Sequence, residues 1–232
     1  QFFDVDRSDA RKSIAETATR EFFAFLTDLK AKRKRAPRDD LISKMIVDEA
    51  AGLYTEDEFI STCMLILMAG HGSTIDVLGS GMHLLLKNPD ALQALRRTPA
   101  GLPVAIQEMF RIEPPLPFFH RHALAEVEIQ GQIYPTGTTF GLLYGAANRD
   151  PTQFANPDRF EITRTPNRHL AFGLGAHLCL GNNLARLNMK VIFETLLKRF
   201  AKIELASDRV AYKRGLSVRG PQALPIVWGT GD

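Results

Sequence analysis

The sequence predicts a mainly α-helical protein with a small β part. Three observations carry this. Long stretches repeat apolar residues at helical spacing, capping signals open several of them, and alternation of apolar and polar residues is confined to short segments after residue 120. At 232 residues, 45% hydrophobic and 24% charged, the chain has the material for a packed core and is no disordered tail.

Taken in order, residues 9–35 have helical character, with Ile14, Phe22, Phe23, Phe25, Leu26 and Leu29 set among charges. A basic run follows through Lys30, Lys32, Arg33, Lys34, Arg35 and Arg38, broken by Pro37. It reads as a solvated helix end and loop, with a docking patch for an acidic partner as the alternative. A short helix over residues 39–51 stops at Gly52. Thr55 and Glu58 form a capping box that opens the longest helix, ended by Asn88-Pro89. About 32 residues at 1.5 Å each would span roughly 48 Å. Its centre, Ala69-Gly70-His71-Gly72-Ser73-Thr74, is poor helix former, each glycine costing about 1 kcal/mol relative to alanine. Something other than stability is expected to have placed it.

Further helices are expected from Pro89 to Arg97 and from Pro103 to Ile112, the second stopped by Pro114-Pro115. Val127, Ile129 and Ile133 alternate around Gln130-Gly131, a hairpin pattern, and residues 138–144 read as another strand. Residues 148–168 are loop-rich. The last long helix starts near Asn182, with Leu184, Leu187, Val191, Ile192, Thr195 and Leu196 on one face, and the tail from Ile203 is expected to be short strands and turns.

The net charge of +3 is too mild to argue for nucleic acid. Two cysteines make no disulfide framework, which points to a reducing, cytoplasmic setting. The longest apolar run, residues 59–70, falls short of the roughly 20 residues that a membrane span needs, so no membrane is expected. The first residue is Gln1, and the opening Gln1-Phe2-Phe3-Asp4-Val5 carries no start signal, so the chain is expected to begin inside a longer protein.

The chemistry concentrates in Phe172-Gly173-Leu174-Gly175-Ala176-His177-Leu178-Cys179-Leu180-Gly181. Three glycines in ten residues let a loop bend tightly and press its backbone against a flat partner. Cys179 lies just before a helix start, whose unpaired N–H groups and positive dipole end favour a thiolate. Such a soft ligand on haem iron promotes O–O cleavage. Cys63 sits on an apolar helix without any of this context and reads as core.

Phe172-x-x-Gly175-x-His177-x-Cys179-x-Gly181 resembles the haem-ligand signature of the cytochrome P-450 family in its soluble bacterial form. The resemblance covers about residues 9–228 here, but only the later half or so of the family's fold. It therefore implies the C-terminal portion, residues 1–232, of a single cytochrome P-450-like domain lacking its N-terminal part. It implies haem b, with Cys179 as the iron ligand, Arg121 and His177 as partners of the haem propionates, and Ala69, Gly70, Phe172, Gly173, Gly181 and Ala185 lining the cofactor. An Arg is suited to a carboxylate by its planar fork. It further implies a structural triad of Glu108, Arg111 and Arg159. The string Ala147-Asn148-Arg149-Asp150-Pro151 is also similar to a family string, with no chemistry assigned to it.

One departure stands out. The family's Ala-Gly-x-(acid)-Thr stretch is here Ala69-Gly70-His71-Gly72-Ser73-Thr74, so Gly72 replaces the acid and Ser73 the first Thr. Ser73 and Thr74 are the candidate proton-handling residues. Asp76, four residues past Gly72, is a candidate to reach the same face through water. General acid–base help is worth roughly 10²–10⁴-fold.

The resemblance thus implies a monooxygenase that inserts one oxygen atom of O₂ into a small organic substrate, with electrons from NAD(P)H through a ferredoxin or flavodoxin-type donor. Leu65, Ile66, Pro117 and Phe118 imply apolar substrate contacts, and Arg186 and Lys190 offer positive charge for the donor. The alternatives are a non-catalytic haem-thiolate protein, or unusual oxidative-coupling or peroxide-driven chemistry.

Overall fold

A computed structural model describes residues 8–229; the opening pentapeptide and the last three residues lie outside them. The chain forms two compact units, residues 1–72 and 73–232, each described by itself.

The first unit holds α1 (Asp9–Arg35), α2 (Leu41–Ala50) and the beginning of α3 (Glu56–Lys87). Ser8 caps α1 and Asp40 caps α2, each side chain accepting from a backbone N–H three residues on. The expected capping box is present: Thr55 N–H donates to Glu58 Oε2 at 2.7 Å and Glu58 N–H to Thr55 Oγ1 at 3.3 Å. Leu26, Met45, Phe59, Ile60 and Cys63 form the core, so Cys63 is a core residue as expected. The basic run is not wholly solvated. Lys30 is buried, 2.6 Å from Glu49 Oε1, 3.0 Å from Glu56 Oε1 and over the Phe59 ring, while Arg33 pairs with Asp40.

The second unit holds the rest of α3, then α4 (Pro89–Arg97), α5 (Leu102–Ile112), α6 (Tyr144–Ala147) and α7 (Asn182–Arg199). Val77, Met82, Leu85, Ile106, Met109, Phe110, Met189 and Phe193 are among its buried core. Gly81 makes the helix packing possible. A Cβ there would lie 2.9 Å from Met109 Sδ and 3.2 Å from Phe193 Cζ, so only a glycine lets α3 approach α5 and α7 this closely.

Three antiparallel two-stranded sheets complete the unit: β1 (Phe119–His122) with β4 (Thr139–Leu142), β2 (Val127–Ile129) with β3 (Gln132–Tyr134), and β5 (Lys202–Leu205) with β6 (Ile226–Gly229). The hairpin around Gln130 and Gly131 is as expected, with both turn residues at positive φ (51° and 80°), as a primed turn requires. Two expectations need correction. Strand structure starts earlier than expected, because β1 pairs Phe119 with Leu142. The next strand ends at Leu142, and Tyr144 instead opens α6. Both boundaries are set by cross-chain pairing, which local alternation does not reveal.

By length and apolarity α3 meets what crossing a bilayer requires, although its longest unbroken apolar run does not. It also carries buried polar side chains, Asp76 and Ser80.

Candidate functional site

The site is built on the junction between a loop and α7. Leu170 N–H is held by Asn148 Oδ1 at 2.7 Å, and Gly173 N–H by the Leu170 carbonyl at 2.9 Å. Gly173 and Gly175 then take φ of 69° and 68°, a region that residues with a Cβ seldom occupy. A single 3-10 turn over Gly175–His177 follows, and the chain returns so that Cys179 N–H donates to the Phe172 carbonyl at 2.8 Å. Gly181 is the residue before α7, and no side chain caps the helix start. The first N–H groups of α7 therefore face the side on which Cys179 sits.

Cys179 is a free, exposed thiol, and its neighbours are exposed leucines: Leu174, Leu178, Leu184 and Leu180, the last 91% exposed. A Cβ on Gly175 or Gly181 would meet nothing within 4 Å. A soft sulfur on an apolar, open surface fits a flat, apolar group whose metal takes one protein ligand. It does not fit a closed ion site, and among the described residues no group of three His, Cys, Asp or Glu side chains could hold an ion.

Behind the loop lies an aromatic and amide cluster that the sequence did not disclose. The Phe172 ring stands 4.5 Å from Phe110, and the Arg186 guanidinium lies 4.3 Å above it. Arg186 Nε donates to Gln107 Oε1 at 3.1 Å, and its Nη1 donates to Asn182 Oδ1. Ala171 N–H donates to His169 Nδ1 at 3.2 Å, which leaves Nε2 to donate to the same Gln107 oxygen at 3.2 Å. Burial, aided by Arg186, lowers the His169 pKa to about 4, so this ring is neutral. Burial lowers that of Arg186 as well, and the Cys179 sulfur acts against it.

Of the residues singled out from sequence, Phe172, Gly173, His177, Cys179, Gly181 and Ala185 come together in this loop and first turn. His177 is exposed and Ala185 half-buried. Arg121 lies on β1, half-buried over Phe119, and among the described residues its hydrogen bond is to the His120 carbonyl. Ala69 and Gly70 are exposed on α3 in the first unit; Ser73 and Thr74 are half-buried on α3 in the second. Leu65 and Ile66 are exposed. Pro117 and Phe118 flank Gly145 and Gly141 closely, within 3.1 and 2.8 Å of a Cβ built there.

Three readings are corrected. The third member of the buried charge cluster is Arg164, not Arg159. Glu108 receives Arg111 side-on at 2.7 and 2.8 Å, Arg164 Nε at 3.1 Å and Asn167 Nδ2 at 3.0 Å, while Arg159 is exposed and contributes only its carbonyl. Asp76 does not stand in for the missing acid: it is buried against the C-terminal segment, with Lys213 Nζ 2.5 Å from Oδ1. Arg186 is no surface charge, being tucked over Phe172; Lys190 remains exposed, 3.4 Å from Glu194.

Comparison with known proteins agrees with this geometry. A family profile for Cytochrome P450 matches residues 102–215, a stretch that holds Glu108, Arg111, Arg164 and the whole Cys179 loop. Over that stretch the chain matches the cytochrome P450 family. It is 37% identical over 226 residues to the biotin biosynthesis cytochrome P450 of Bacillus subtilis, covering 97% of this chain and 57% of that one. It is 39% identical over 227 residues to 6-deoxyerythronolide B hydroxylase of Saccharopolyspora erythraea, covering 96% and 55%. Among solved structures, it matches a cytochrome P450 for C–S bond formation in chuangxinmycin biosynthesis with a TM-score of 0.86 and 41% identity, over 90% of this chain and 53% of that one. The chain thus spans little more than half the length of these relatives and has the mainly helical P450 fold over that span.

Proposed function

We propose that residues 1–232 form part of a single haem-thiolate monooxygenase domain. In this reading it inserts one oxygen atom of O₂ into a small apolar organic substrate, the other oxygen leaving as water. NAD(P)H supplies the electrons through a ferredoxin or flavodoxin-type donor, in the cytoplasm and without a membrane. The observation that carries the reading is Cys179: an exposed sulfur on a glycine-bent loop, before a helix start with no side-chain cap, with exposed leucines on either side of it in the chain.

When bound, haem b supplies the oxygen activation and transfer. The chain's own residues bind it, orient it and handle protons. Cys179 would hold its iron, and the α7 N-terminus would stabilise the negative charge of the sulfur. Gly173, Gly181 and Ala185 leave room for the flat ring beside Phe172. Arg121 and His177 are the donors for its two carboxylates, Arg121 by exchanging the His120 carbonyl for a charged acceptor. Ala69 and Gly70 would line the cofactor, and the Ser73 and Thr74 hydroxyls would carry protons.

Haem-loaded protein, reduced under carbon monoxide, tests ligation: a thiolate-type Soret band is expected, and a band of histidine or unligated type defeats the reading. Product formation with a reductase system then separates an enzyme from a haem-thiolate protein without turnover.

A second reading, oxidative coupling, is favoured by Gly72. A Cβ there would meet nothing within 4 Å, so the place of the family acid is open space. One relative, the chuangxinmycin enzyme, forms a C–S bond. Coupling two substrate atoms takes an electron and a proton from each; O₂, with two further electrons from the donor and two protons, takes these up and leaves as two waters, so no oxygen enters the product and its mass distinguishes coupling from hydroxylation.

A further inference from the structure

We infer that Arg186 is the positioning residue for the iron ligand: it clasps the Cys179 loop from α7 and brings a half-buried positive charge to that loop. The inference rests on the haem-thiolate reading above.

Both backbone polar groups of Cys179 are held by residues that Arg186 touches. Its N–H donates to the Phe172 carbonyl at 2.8 Å, and the Phe172 ring lies under the guanidinium at 4.3 Å. Its carbonyl accepts from Asn182 Nδ2 at 2.7 Å, and Asn182 Oδ1 accepts from Arg186 Nη1. Gln107 on α5 fixes the third corner by accepting from Arg186 Nε. The loop between Phe172 and Cys179 is otherwise exposed and glycine-rich, so this clasp is what limits where the sulfur can go.

The charge is the second half of the argument. Arg stays protonated, yet among the described residues no carboxylate comes within 4.0 Å of Arg186; its partners are neutral amides and a ring. A cation withdrawn from water without a counter-ion is unfavourable. A thiolate at Cys179 is the anion available to offset it.

A nearby cation stabilises the electron gained when the iron is reduced, so removing it lowers the midpoint potential. In haem-loaded protein, Arg186→Met is expected to cut the ferrous-to-ferric ratio at fixed potential about tenfold, a midpoint lowered by about 59 mV for one electron. It should also diminish the thiolate-type band under carbon monoxide. Arg186→Lys keeps the charge but not the flat ring contact, so the midpoint should move less than half as far while the band still diminishes. An Arg186→Met protein with unchanged melting, midpoint and band overturns the inference, as does an equal midpoint shift in both variants. If Arg186→Met does not fold, Gln107→Met decides: releasing Nε should diminish the band, and an unchanged band overturns the clasp. A parent protein that binds haem without any thiolate band instead defeats the haem-thiolate reading itself, and this inference with it.

Discussion

Lys213 Nζ stands 2.5 Å from Asp76 Oδ1, and Gly220 closes over the same carboxylate so tightly that a Cβ on it would collide with the Asp76 side chain. This pair fastens the C-terminal segment to α3: Gly79 meets Pro221, and His83 Nδ1 meets Tyr212 Oη at 2.9 Å. Gly220→Ala is expected to cost about 1–3 kcal/mol, because overpacking displaces a buried, ion-paired group. Chemical denaturation measures it. In a double-mutant cycle with Asp76→Gly, which removes every Asp76 atom that the new Cβ would meet, most of the Gly220 penalty should vanish; strictly additive losses would contradict the contact.

The Glu108 cluster gives a comparison between two arginines. Removing one partner of a buried charge pair costs roughly 3–5 kcal/mol, so Arg164→Ala should lower the melting temperature by several degrees. Arg159→Ala should change stability by no more than about 0.5 kcal/mol, since its side chain is exposed and only its carbonyl is used. The reverse ranking would restore Arg159 to the cluster. Nothing local could have separated the two: both follow Pro157 in a polar stretch, and only the path of the loop over α5 turns Arg164 inward.

His169 makes stability depend on pH. Its folded pKa, about 4, lies below the ordinary 6.5, so between these values the unfolded chain binds the extra proton. Its contribution is complete above pH 6.5, falls as pH drops towards 4, and is gone below. The full swing is roughly 3 kcal/mol. His169→Gln should flatten that part of the stability curve relative to the parent, leaving the carboxylate-driven loss at lower pH; parallel curves would count against the neutral, buried ring.

Cys179→Ser should abolish the thiolate-type band while shifting stability by less than about 0.5 kcal/mol, because the side chain is exposed. Cys63→Ser should show the opposite pattern: about 1–3 kcal/mol lost for a hydroxyl in an apolar core, and an unaltered band.

A Cβ at Gly72 would meet nothing within 4 Å, so Gly72→Glu begins in open space. If oxygen insertion is the reaction, a carboxylate here should raise product formed per reductant consumed, within the roughly 10²–10⁴-fold that acid–base help supplies. No gain would favour chemistry that does not draw protons through this turn.

Local signals were sufficient for most helices. The capping box at Thr55, Pro89 at a first turn and the glycine loop before Asn182 act over three or four residues, so α3, α4 and α7 begin where those residues place them. The Cys179 loop was legible for the same reason: its spacing is a property of ten consecutive residues. Only the tertiary structure decided which side chains meet across long separations. Gln107 and Arg186 are 79 residues apart, Glu108 and Arg164 are 56, and Asp76 and Lys213 are 137. Charge and amide side chains bond to whatever the fold brings within about 3 Å. A sequence therefore shows that such groups are present, and the packing of α3, α5 and α7 determines which become buried partners and which stay in water.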